Sequence, residues 1–248
     1  MLRDEELLRY SRQILIPRFD IAGQTRLKSA RVLVIGAGGL GCPVALYLGS
    51  AGVGHLTLVD DDQIELANLQ RQIGFEQSWL GDSKAERLAE RVRAINPEIT
   101  VRAVHRRVDL DDLSQLASEA TLVMDCTDNF NTRFALNRAS VANRVPLVSG
   151  AAIRGEGQVS VYDPRRPDSP CYHCLYAEQG NEDLTCSEAG VIAPLVGMIG
   201  STQAMEAIKM LSGVGKPLVG RLLILDAWQM EWREMKLLKD PDCPVCAG

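Results

Sequence analysis

A chain of 248 residues can bury a large α/β core, as one large domain or two small ones. Its net charge of −5 and the absence of any basic run exclude a nucleic acid as the main partner. The N-terminus, MLRDEELLRYSRQ, lacks the apolar core of a signal peptide, so the expected location is the cytoplasm, where seven cysteines face a reducing environment.

Asp4 can cap a short helix, EELLRYSRQI, in which Leu7, Leu8 and Ile14 offer an apolar side while Arg9 and Arg12 point elsewhere. This amphipathic arm, within residues 1–30, has to dock on its own domain or on a neighbouring subunit.

The chain is organised around RVLVIGAGGLGCPVALYLGSAGVGHLTLVD, Arg31 to Asp60. An apolar run, Val32 to Ile35, meets Gly36, Gly38 and Gly41 at G-x-G-x-x-G spacing; a helix-like segment and a second apolar run, Leu56 to Val59, then end on Asp60. Glycines let the backbone turn tightly and approach phosphate, free N–H groups at the helix start attract anions, and an acid ending the next strand can accept hydrogen bonds from ribose hydroxyls. Glycines alone could serve only helix–strand packing. Their strand, helix and acid context points to a nucleotide.

The polar stretch after Asp60 gathers Asn68, Gln70, Arg71 and Gln72 where ligands sit in open α/β sheets. Ser83-Lys84-Ala85-Glu86 has capping-box spacing and opens a helix that Asn96-Pro97 stops. Lys84 in the first turn opposes the helix dipole and invites an anion, unless it is an ordinary surface lysine. Val101 to Val104 read as a strand and Leu110 to Ala117 as a helix. TLVMDCTDN is an apolar strand ending in Asp125, a candidate strand terminator, and Asp128, which lies on the ligand edge where a carboxylate can hold magnesium beside a triphosphate. A helix from Asn131 to Ala142 and the strand PLVSG follow. Four strand–helix alternations predict a doubly wound, Rossmann-like, mostly parallel sheet.

Beyond Gly150, GQVSVYD and LILDAWQMEWREMKLL, with Trp228, Met230 and Trp232 alternating with polar residues, predict antiparallel strands that extend the sheet. The apolar stretch Ala189 to Leu211, interrupted by Glu206 and Lys209, reads as a buried helix rather than a membrane span. The expectation is one domain, with a nucleotide half (31–150) and an elaborated half (151–248).

Cys171-x-x-Cys174 and Cys243-x-x-Cys246 match a structural zinc site in which each pair supplies two thiolates. Cys42 and Cys126 read as small buried residues. Cys186, in the acidic loop EQGNEDLTCSEAG, is a candidate nucleophile, although acidic neighbours raise a thiol's pKa.

Taken together, RYSRQ, GAGGLG, NLQRQ, Lys84, DCTDN, SGAAIRGEGQ, the two cysteine knuckles and GSTQAMEAIKML resemble the MoeB/ThiF adenylyltransferase family, relatives of the ubiquitin-activating enzymes. The resemblance covers essentially the whole chain. It implies ATP-dependent adenylation of the C-terminal glycine of a ubiquitin-like sulfur carrier, MoaD-type or ThiS-type. It also implies that a separate sulfur donor converts the acyl-adenylate to a thiocarboxylate. By position, Gly39 lies under the nucleotide, Asp60 holds the ribose, Asn68, Arg71 and Lys84 clamp the phosphates, and Asp128 organises Mg2+. Arg12 resembles the family's arginine finger, lent across a homodimer interface, and residues 151–248 would bind the carrier. The Cys186 loop would cross over the carrier's tail, with a cysteine that bonds covalently to the carrier in the thiazole branch and is dispensable in the molybdopterin branch. SGAAIRGEGQ looks more like the molybdopterin branch. The fingerprint alone also admits a nicotinamide- or flavin-dependent oxidoreductase, or a non-catalytic scaffold. Neither accounts for Arg12, Arg71, Lys84 and Asp128 together.

Overall fold

Every residue of Val32–Ile35 is apolar because the strand they belong to, β1 (Arg31–Ile35), is covered on both faces. In the computed structural model, which describes residues 2–176 and 189–247, Val32 and Val34 join one helical layer and Leu33 and Ile35 the other. That is the two-residue period of a strand.

The chain opens with α1 (Asp4–Arg9), α2 (Ser11–Ile14) and α3 (Asp20–Ser29) before β1. It then alternates α4 (Gly41–Ser50), β2 (His55–Val59), α5 (Lys84–Ile95), β3 (Thr100–Val104), α6 (Leu110–Ser118), β4 (Leu122–Asp125), α7 (Phe130–Asn143) and β5 (Leu147–Ile153). Beyond these lie β6 (Glu156–Tyr162), α8 (Tyr172–Leu175), α9 (Ala193–Ser212), β7 (Arg221–Asp226) and β8 (Glu231–Lys236). All eight strands form one sheet in the order β3-β2-β1-β4-β5-β6-β7-β8. The first five run parallel and the last three antiparallel, as the sequence predicts. One face packs on Leu27 of α3, Val44 and Leu48 of α4, Leu88 and Val92 of α5, and Leu195 and Ile199 of α9. The other packs on Leu113 and Leu116 of α6, Phe134 and Leu136 of α7, and Tyr172 of α8.

Three local expectations change. The arm helix breaks at Tyr10, whose ring is buried beneath Gly52 and whose hydroxyl accepts a hydrogen bond from Asn96 Nδ2 (2.9 Å). Asp4 does not cap it: the residue sits inside the first turn, and the backbone N–H of Arg3 is satisfied by Glu6 Oε2 (2.8 Å). Trp228 and Met230 lie in the turn between β7 and β8 rather than on a strand, with Met230 at φ 53°. The Ser83 cap does form, its hydroxyl accepting from Glu86 N (3.3 Å). Among the described residues no helix is long and apolar enough to cross a membrane.

Gly36 leaves β1 at φ +93°, still donating to Val59 O (2.9 Å), so the turn starts inside the sheet's ladder. Gly41, the first residue of α4, then packs against it so closely that an added Cβ would land on the Gly36 carbonyl oxygen. Glycine-to-alanine changes inside helices normally stabilise by roughly 1 kcal/mol. Gly41→Ala should instead destabilise by about 1–3 kcal/mol in urea unfolding, because backbone atoms cannot give way as a flexible side chain does. A stabilised variant would show that the strand–helix contact is looser than the structure has it.

Candidate functional site

β1 runs on through α4 to β2 on one side and its neighbour β4 runs on through α7 to β5 on the other, so the two crossovers diverge and open a crevice at the strands' carboxyl ends. A cavity of about 660 Å³ fills this crevice. Within the size range of ligand pockets, it gathers Gly36, Gly38, Gly39, Asp60, Arg71, Lys84 and Asp128 from separate parts of the chain.

The glycines divide the work. Gly36 and Gly41 make the turn and the helix contact, whereas Gly38 and Gly39 line the cavity against Gln72 and Val196. The first turn of α4 has no side-chain cap, but Cys42 N donates to Gly38 O (2.9 Å) and Pro43 carries no N–H, so only part of the turn's donors is left for an anion. Asp60, one residue beyond β2, accepts from Ala37 N (2.7 Å) and Asp62 N (2.9 Å), which ties it to the glycine loop. Burial pushes its carboxyl above the ordinary carboxylate range, against the opposing pull of those two backbone hydrogen bonds and Lys84.

Lys84 does sit in the first turn of α5, but its charge already has a partner. Its Nζ is buried and donates to Asp62 Oδ2 at 2.7 Å. Arg71 lines the cavity and donates to Ala67 O (3.0 Å). Asn68 is buried outside the cavity lining; its carbonyl accepts from the N–H groups of Arg71 (3.0 Å) and Gln72 (2.9 Å), so it shapes the turn that presents them. Gln72 is buried on the cavity wall with Oε1 unpartnered. Asp128 is exposed at the rim, and among the described residues its carboxylate makes no hydrogen bond or ion pair. A free carboxylate beside a phosphate-sized space suits a hard cation such as Mg2+, which takes one or two carboxylates together with phosphate oxygens.

Beneath Asp128 lies a buried polar network that the sequence reading missed. Asp125 Oδ1 accepts from Thr127 N (3.1 Å) and Thr127 Oγ1 (2.7 Å), and Oδ2 from Ser149 Oγ (2.7 Å). Gln203 of α9 donates to the Asp125 carbonyl (2.8 Å). Arg133 of α7 donates to Thr127 O (2.6 Å) and Gly150 O (3.3 Å). Burial works against the Arg133 charge, but the Asp125 carboxylate together with Tyr172 and Tyr176 offsets it and raises the guanidinium above its ordinary pKa. Nothing local marks these residues, since an arginine inside NTRFALNR looks like any surface arginine.

Arg12 does not line this cavity. With Arg9, Gln13, Tyr47 and Met205 it lines a second, more apolar cavity of about 450 Å³. Cys186 lies outside the described residues. Cys42 and Cys126 are buried as expected, and burial pushes the Cys42 thiol up to about 12.

The two C-x-x-C pairs meet. Sγ separations are 3.7 Å for Cys171–Cys243, 3.9 Å for Cys171–Cys174 and 3.5 Å for Cys174–Cys246, and all four atoms lie within 4.8 Å of one another. A tetrahedron with Zn–S bonds of about 2.3 Å has edges of about 3.8 Å, so the four thiols fit the ion. Asn137 of α7 clamps the knuckle, accepting from Tyr172 N (2.9 Å) and donating to Cys171 Sγ (3.5 Å).

Residues 10–245 match the family model described as the ThiF family. Over 245 residues the chain is 51% identical to the molybdopterin-synthase adenylyltransferase of Escherichia coli strain K12, covering 99% of this chain and 98% of that one. It is 41% identical over 247 residues to the sulfur carrier protein ThiS adenylyltransferase of the same organism, covering 100% and 98% of the two chains. Among solved structures it is similar to E. coli MccB with ATP, with a TM-score of 0.84 at 25% identity, covering 96% of this chain and 73% of that one.

Metal analysis should find one zinc per chain, and chelation should lower the thermal midpoint, because metal binding at such a site is coupled to folding. An unchanged midpoint after complete zinc removal would contradict a structural role.

Proposed function

Because the chain belongs to the ThiF family, we propose that the crevice cavity binds ATP and uses it to adenylate the C-terminal glycine of a MoaD-type sulfur carrier for molybdenum cofactor biosynthesis. The protein is an adenylyltransferase. That membership sets aside the nicotinamide or flavin reading of the glycine fingerprint. The observation that carries the proposal is the convergence of Gly38, Gly39, Asp60, Arg71, Lys84 and Asp128 on one cavity.

In this reading the triphosphate runs past Gly38, Gly39 and the start of α4, with the ribose at Asp60. The carrier's terminal carboxylate is ionised at pH 7, so it attacks the α-phosphorus without a general base. A new P–O bond forms as the bond to the β-phosphate breaks, and its electron pair leaves with pyrophosphate. Catalysis is then positioning and charge stabilisation, which suits a cavity lined by arginine and lysine and no histidine. Lys84 exchanges Asp62 for phosphate, Arg71 faces the departing pyrophosphate, and Asp128 holds Mg2+. Bound with ATP, the ion would draw charge from the phosphate oxygens.

The exposed residues Tyr47 and Met205 line the second cavity with Arg12, and Leu8 and Leu15 are exposed on the same N-terminal arm. A second copy of the chain covers this face and receives Arg12 at its triphosphate. The four-thiolate site holds zinc, the antiparallel half receives the carrier, and a separate sulfur donor consumes the acyl-adenylate in the cytoplasm. A ThiS-type carrier is the second reading, favoured by the 41% identity to its adenylyltransferase.

Carrier-dependent ATP–pyrophosphate exchange tests the function, with exchange expected for the MoaD-type carrier and little for the ThiS-type. Exchange with neither would overturn the proposal. Arg12→Ala and Asp128→Ala should each abolish exchange, yet mixing the two inactive proteins should restore about a quarter of wild-type activity through heterodimers with one intact site. No recovery on mixing, with subunits shown to exchange, would rule out an arginine supplied in trans.

A further inference from the structure

We propose that Arg133 is a positioning residue for adenylation, fixing the Asp128 carboxylate and the adjoining β5–β6 wall of the cavity in one geometry; this rests on Asp128 serving the metal. Asp128 has no side-chain partner among the described residues, so its aim comes from the backbone on either side. On one side is Thr127, whose N–H and hydroxyl bind Asp125 Oδ1 and whose carbonyl receives Arg133 Nη2 (2.6 Å). On the other is Asn129, whose Oδ1 caps α7 through Thr132 N (2.9 Å). Arg133 reaches across to β5 through Gly150 O (3.3 Å), next to Ser149, whose hydroxyl binds Asp125 Oδ2. Residues 151–153 continue from that carbonyl as cavity wall, so one guanidinium joins the metal side of the cavity to the side facing the carrier tail.

The charge matters as well as the hydrogen bonds. Arg133 is 9% exposed and Asp125 1%, and Arg133 Nε, 3.9 Å from Asp125 Oδ2, makes no hydrogen bond. Apolar residues of similar volume usually support a fold as well as a buried ion pair does. What they lack is direction: Nη2, set by a planar guanidinium whose Nε lies beside the Asp125 carboxylate, donates to both carbonyls. Lysine keeps the charge and loses the planar group that holds this nitrogen between the two carbonyls.

The test compares wild type, Arg133→Lys and Asp128→Ala by calorimetric titration with ATP, with and without Mn2+, beside thermal melts and the KM for the carrier. In the wild type the metal should tighten ATP binding, and Asp128→Ala should lose that gain. Arg133→Lys should remain folded, lose about tenfold of the gain as substitutions behind a metal ligand do, and raise the carrier KM more than it lowers kcat. A folded Arg133→Lys protein with the wild-type metal gain and carrier KM would overturn the inference while leaving Asp128 in place. An Asp128→Ala protein that keeps the full gain would instead remove the metal reading, and the inference with it. If Arg133→Lys fails to fold, the near-isosteric Thr127→Val removes one bond of the same network. It should then shift the metal gain in the same direction, and an unchanged gain would overturn the inference.

Discussion

The placement of β1 between β2 and β4 is the constraint on which the rest depends. Parallel neighbours can be joined only by a crossover. The one that follows β1 runs to β2 while the one that follows β4 runs to β5 on the other side, which parts the helices above the strands' carboxyl ends. Into that gap the fold brings a turn so tight that Gly41 rests against the Gly36 carbonyl, which leaves Gly38 and Gly39 to meet a ligand with bare backbone. Asp60 reaches back to Ala37 from the neighbouring strand and fixes the loop from the other side. Everything the cavity can recognise follows from this opening.

The cavity's electrostatics are arranged in two layers. Facing the ligand space are Asp128, Arg71, and Lys84 in its pair with the exposed Asp62. The second layer has fixed partners: the Asp125 carboxylate lies outside the lining, saturated by Thr127 and Ser149, and Arg133, which itself lines the cavity, spans Thr127 and Gly150. Preorganisation of this kind is what a reaction that moves charge and needs no base requires.

Features written into short stretches of chain were legible before the structure. The run Val32–Ile35, the glycines, the Ser83 cap and the C-x-x-C pairs each express their physics within a few residues, and each appears where the sequence predicts. What escaped depends on partners far apart. Lys84 reads as an unpaired cation until Asp62 is seen against it, and Arg133 as a surface residue until α7 turns it towards β4. The break at Tyr10 likewise comes from a socket made by Gly52 and Asn96, which no periodicity in the arm could reveal. Local rules place the elements; tertiary contacts decide which side chains are free.

The thiolate cluster joins positions 72 residues apart, with α9 and the last two strands threaded between the knuckles. A zinc finger gathers its ligands within one small local unit, but here each knuckle offers only half a set until the sheet edge has docked. The four thiols can therefore meet only once β6 has paired with β7 across about 60 residues of chain and the β7–β8 hairpin has closed on the sheet edge. An ion held by all four would be a final latch that discriminates a completed sheet from a partly assembled one.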